Sequence, residues 1–115
     1  MDGLVGLEIE QRREVVIARV TGELDVAGAE GMGDRIAAAV PTSARGLVVD
    51  FTELEFIDSS GIAMLFELAR KLGGRRQELR VAAPAGEPVA RVLEIVEFHR
   101  AAPVFGDVES AVSDI

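Results

Sequence analysis

Asp58, Ser59, Ser60 and Gly61 stand together where the apolar Phe56 and Ile57 give way to a helical pattern. A carboxylate followed by two hydroxyls can cap the free N–H groups of a helix's first turn. The same hydroxyls can act as nucleophiles or accept a transferred phosphoryl group. Capping needs only one of the three polar residues, and no Glu or Gln follows at the spacing of a capping box. A strand-to-helix turn leaves first-turn N–H groups pointing outward with partial positive charge. A phosphate attached there is expected to be met by those donors, adding about −1.5 to −2 charge beside Asp58. Asp25, in "ELDVAG", is a second carboxylate placed to begin a helix.

Other chemistries fit less well. A hydrolytic triad built on Ser59 and His99 lacks the G-x-S-x-G elbow, and His99 follows a helix in a polar exit, as a surface residue does. The glycines of "AGAEGMG" match neither phosphate-cradling pattern, G-x-x-x-x-G-K-[ST] or a strand-linked G-x-G-x-x-G. Asp25 and Asp58 as a metal or acid pair would have to approach each other, which spacing alone does not establish. The basic run "RKLGGRR" suits a helix end, where the negative pole of the dipole favours cations.

The elements that position these residues follow from periodicity. "LEIEQ" alternates as a half-buried strand, "RRE" turns, and "VVIARVTG" is apolar on both faces, together predicting a hairpin. Behind Asp25 the spacing of Ala29, Met32, Ile36 and Val40 predicts one helix stopped by Pro41 and weakened by Gly28, Gly31 and Gly33. "GLVVDF" is short and continuously apolar, a central strand, and "TELEFID" then leads to the serine cluster. Ile62, Leu65, Phe66, Ala69 and Leu72 define the apolar face of the next helix, with Gly73 and Gly74 as its terminator. "LRVAA" reads as a strand. Pro88 opens a helix whose stripe is Val89, Val92, Leu93 and Val96. "PVF" is a brief extended piece, and Asp107 caps a last helix turning Val108, Ala111, Val112 and Ile115 inward. Strands joined through helices imply parallel pairs, with the hairpin adding an antiparallel edge. The expectation is one compact α/β domain over residues 1–115: a mixed, mostly parallel sheet of about four to five strands against about four helices.

Composition narrows the partners. The 115 residues include no cysteine and one histidine, which excludes disulfides, thiolate metal sites and histidine-rich metal sites. Asp and Glu total 20 against 12 Lys and Arg, a formal net charge of −8. Such a chain repels nucleic acid and anionic membranes and suits a partner with a basic face. Tyr and Trp are absent, removing the usual stacking platforms for bases. The start, "MDGLVGLEIE", lacks a signal peptide's basic and apolar blocks, and no apolar run approaches the ~20 residues of a spanning helix. The cytoplasm is the expected location, and neither cofactor nor metal is expected.

Three stretches in order, "VTGELD" from Val20, "VVDFTELEFIDSSGIAMLFEL" from Val48 and "VARVLEIVEFHRAAPVFGDVESAV" from Val89, resemble the STAS family, and more narrowly its bacterial anti-sigma factor antagonists. "GELD" together with a later "DSSG" is the specific part of the match. The resemblance implies a binding switch rather than an enzyme. It further implies that an anti-sigma factor, itself a serine kinase, would phosphorylate the serine directly after the aspartate, here Ser59. Ser60 matches the variable Ser/Thr position, and Asp25 a residue beside the phosphorylation site implicated in kinase contact. The partner surface so implied comprises Asp25, Asp58, Ser59, Ser60 and Gly61. The unmodified protein would bind the kinase and free its sigma factor, phosphate on Ser59 would end binding, and a serine phosphatase would reset it. Such an antagonist is expected to be a monomer or weak dimer with no direct contact to nucleic acid or membrane. Other roles carried by STAS proteins are a stressosome-type scaffold, an accessory subunit of a transporter, and nucleotide binding. The glycine-rich helix after "GELD" departs from the family pattern in a region often used for partner contact.

Overall fold

The computed structural model describes residues 4–115. Met1 to Gly3, on which part of the reading against a signal peptide rests, lie outside the described residues. Strand β1 (Gly6–Arg12) returns through a two-residue turn as β2 (Val15–Leu24), the antiparallel hairpin expected from the alternation. Helices α1 (Val26–Ala29) and α2 (Met32–Ala38) follow, then β3 (Gly46–Asp50), β4 (Leu54–Ile57) and α3 (Ser59–Gly74). The chain ends with β5 (Glu78–Ala82), α4 (Pro88–Ile95), a 3-10 turn (Phe98–Arg100), β6 (Val104–Phe105) and α5 (Val108–Val112).

The sheet runs β1-β2-β3-β5-β6, and β4 pairs separately with the end of β2. Every pair after the hairpin is parallel. Helices α1 to α4 cover one face over the larger core, which includes Val16, Val20, Leu47, Phe51, Leu65, Leu68, Leu93 and Phe98. Helix α5 covers part of the other face, setting Ala111 against Val15, Ile17, Val48 and Ala82. All five positions of β3 are buried, as its unbroken apolar pattern predicts. The exception in type is Asp50, fully buried, whose carboxylate accepts from the Thr52 amide (2.9 Å), the Thr52 hydroxyl (2.6 Å) and Arg19 Nε (3.2 Å). A buried carboxylate persists when its oxygens are matched in this way.

Four local expectations are corrected. The helix expected behind Asp25 is two short helices, because Gly31 takes a left-handed φ of 72° and redirects the backbone. "LEFI" is a strand, not a connection; its mixed burial, Leu54 and Ile57 in and Glu55 and Phe56 out, hides the alternation that would have marked it. Gly73 and Gly74 lie within α3, and the left-handed residue beyond it is Arg76. Phe66 is 37% exposed, and its ring meets Phe98 edge-on at 5.0 Å between centroids. Leu68 takes the core position instead.

The far end of α3 holds the α2 region in place. Arg75 Nη2 donates to the Val40 carbonyl (2.7 Å), and Gln77 Nε2 to the carbonyls of Pro41 (2.9 Å) and Ala44 (2.8 Å). Lys71 Nζ donates to Asp34 Oδ1 at 2.7 Å. That hydrogen bond, then the lysine's charge, holds the Asp34 carboxyl below its ordinary value of 3.8. A lowered folded-state value means the tie stabilises the protein above the ordinary carboxyl range and is lost as pH falls through the lowered one. Asp34→Asn should therefore remove this part of the acid loss of stability, seen as a shallower fall in urea midpoint below about pH 4.

Candidate functional site

The register of β2 and β4 brings the two sequence-distant aspartates together. Leu24 pairs with Ile57 in parallel, so Asp25 and Asp58 are the next residues on neighbouring strands. The Asp58 amide donates to the Leu24 carbonyl at 3.1 Å, fixing the juxtaposition. Each carboxylate then caps a helix. Asp25 Oδ1 accepts from the Gly28 amide at 2.8 Å. Asp58 Oδ1 accepts from the amides of Ser60 (2.8 Å) and Gly61 (3.3 Å). Replacing Asp58 by Ala should cost about 1 kcal/mol in urea unfolding, and Asp58→Asn only a fraction of that.

Ser59 is the first residue of α3 and is exposed; Ser60 is half-buried. Gly61 is buried, and this is a question of space. A Cβ at that position would lie 2.7 Å from Ile57 Cγ1 and 2.8 Å from the Leu24 carbonyl oxygen. The absent side chain lets the first turn of α3 settle onto the end of β2, leaving Ser59 at the rim.

The expectation that helix donors would meet a phosphate on Ser59 needs correction. The Ser60 and Gly61 amides are already taken by Asp58, and the Ile62 amide by the Asp58 carbonyl. The segments 23–29 and 56–64 contain no Lys or Arg, whereas they contribute Glu23, Asp25 and Asp58. A phosphate here would add to negative charge that neither segment offsets. Around this acidic spot lie exposed apolar groups: Val26, 71% exposed and directly after Asp25, and Phe66, two turns along α3 from Ser59. Sequence reading missed Val26 because it took the residue as the start of a longer helix.

His99 is exposed, as expected, and borders a cavity lined by Leu93, Val104 and Phe105. Asp25, Asp58 and Ser59 do not line that cavity.

This strand-helix constellation sits within a chain whose residues 6–111 match the profile of the STAS domain. The chain belongs to the STAS domain family. This STAS domain is similar to the anti-sigma F factor antagonist of Paenibacillus polymyxa, with 24% identity over 110 residues, 95% of this chain and 93% of that protein. Its fold is similar to the crystal structure of an anti-sigma factor antagonist from Mycobacterium paratuberculosis, with a TM-score of 0.86 at 24% identity, covering 98% of this chain and 95% of that one. It is also similar to the Bacillus cell fate determinant SpoIIAA in its phosphorylated form, with a TM-score of 0.65 at 25% identity over 93% and 96% of the two chains. The mixed sheet, N-terminal hairpin and covering helices of this STAS domain are those of the SpoIIAA-like fold. No helix of the described residues is long and apolar enough to cross a membrane.

Proposed function

We propose that this STAS domain, spanning residues 1–115, is an anti-sigma factor antagonist that works by binding. Its unphosphorylated form engages an anti-sigma serine kinase and releases the sigma factor; phosphorylation of Ser59 blocks that engagement, and a serine phosphatase restores it. The partner surface is Asp25, Asp58, Ser59 and Ser60, with Gly61 setting the height of the helix beneath them. The protein acts in the cytoplasm as a monomer or weak dimer.

The observation that carries this reading is the exposure of Ser59 at the first position of α3, directly after Asp58 and at the end of the Asp25–Asp58 pair whose carboxylates are occupied in capping. The aspartates stay in place whether or not the serine is modified, so modification changes charge without dismantling the fold. Introducing charge at the centre of an interface opposes association because the charge must be desolvated or repelled there. The similarity to named antagonists along nearly the whole chain supports the same role.

A competition assay tests it. Titrating the unphosphorylated protein into a preformed complex of the cognate sigma factor and anti-sigma kinase should release free sigma factor, read by gel filtration. A complex that stays intact at saturating protein rules out antagonism.

A further inference from the structure

The acidic chain has a basic pole. Around the N-terminal ends of β2, β3 and β5 stand Arg12 at the end of β1, Arg13 and Glu14 in the hairpin turn, Arg45 before β3, and Arg75 and Arg76 before β5. Some of this charge is spoken for: Arg12 pairs with Glu10 and Glu109 at 3.0 Å each, and Arg75 donates to the carbonyl of Val40. Arg13 and Arg45 are exposed and, among the described residues, form no ion pair. Neither lies at a helix C-terminus, so dipole compensation does not account for them.

Their backbones are nonetheless fixed. Arg13 occupies the tip of the hairpin with φ 60°. The Arg45 amide donates to the Glu14 carbonyl (2.8 Å), and the Arg45 carbonyl accepts from the Glu78 amide (3.1 Å). Together with Arg12 and the single carboxylate Glu14 they border a depression of about 320 Å³ whose apolar lining is Val15, Val112 and Ile115, so three guanidinium groups face one acid there.

We propose that this depression binds a short acidic segment of a protein partner, an apolar side chain seated among Val15, Val112 and Ile115 and flanking carboxylates paired with Arg13 and Arg45. The guanidinium fork suits carboxylates. A nucleic acid fits less well, since phosphodiesters leave the apolar floor unfilled and a long polyanion meets the net charge of −8 elsewhere on the surface. The pole lies at the opposite end of the parallel strands from Ser59, because β2 runs from Val15 at the depression to Leu24 beneath the serine site. Both ends can be occupied together. The inference does not depend on the antagonist reading.

The test is fluorescence anisotropy with a short fluorescein-labelled peptide alternating glutamate and leucine. The native protein should bind it at low salt, and the paired substitution Arg13→Glu with Arg45→Glu should weaken binding about tenfold or more. Arg13→Gln with Arg45→Gln guards against misfolding and should weaken it in the same direction. Arg91→Glu, a charge reversal on α4, should stay within about twofold because it acts only through the screened overall charge. Unchanged affinity in both paired variants overturns the proposal. So does equally tight binding of polyuridine, which would make the pole a general polyanion site. Salt-dependent self-association abolished by the same substitutions would replace the separate partner with a second copy of this chain.

Discussion

Ser59→Asp is expected to lose about 2–5 kcal/mol of binding to the anti-sigma kinase, the scale of leaving a charge unmatched at the centre of an interface. Its urea midpoint should stay close to that of the native protein. The substituted carboxylate sits at an exposed first-turn position and displaces no packed group. The flanking segments contribute Glu23, Asp25 and Asp58 and no cation, so neither supplies a counter-ion for what is added. Ser59→Ala should bind like the unmodified protein and go on binding when kinase and ATP are present together. Calorimetric titration of both variants into the kinase separates the outcomes. Full affinity in Ser59→Asp would mean that the partner docks elsewhere.

The second large effect is structural and lies two residues away. Gly61→Val should destabilise the protein by about 1–3 kcal/mol, the usual cost of forcing extra carbon into a closed contact. The obstacle includes the Leu24 carbonyl at 2.8 Å, and backbone cannot swing aside as a side-chain end can. Gly61→Ala places the same Cβ and should cost less than Val, which adds two methyl groups. Relief of the clash requires α3 to lift from β2, so Gly61→Val should also weaken kinase binding although residue 61 is buried. Urea unfolding compared with kinase affinity distinguishes this from a direct contact: both should fall together. A native urea midpoint for Gly61→Val would show that the turn has room to spare.

Where one period governs a segment, the sequence was sufficient. The hairpin, the buried β3 and the capped start of α3 follow from alternation, an unbroken apolar run and a cap residue, each a local signal. The fold departs from that reading where local and tertiary demands differ. Gly31 breaks a helix that the spacing of Ala29 and Met32 would have carried through, because a left-handed residue leaves no mark on apolar periodicity. Leu54 to Ile57 form a strand by pairing with β2, and that partner is more than thirty residues earlier in the chain. The candidate site shows the same division. Its residue types were legible in "DSSG" and "ELD", whereas the adjacency of Asp25 and Asp58 is a matter of register and could be read only from the folded sheet. The unavailability of the first-turn donors is likewise a consequence of the cap geometry.

The most direct measurement is to incubate the protein with its cognate anti-sigma kinase and ATP and to map the phosphate by mass spectrometry. A single phosphate on Ser59, absent from Ser59→Ala, is the predicted result. Phosphate confined to another residue, or none under conditions where the kinase binds, would contradict the account.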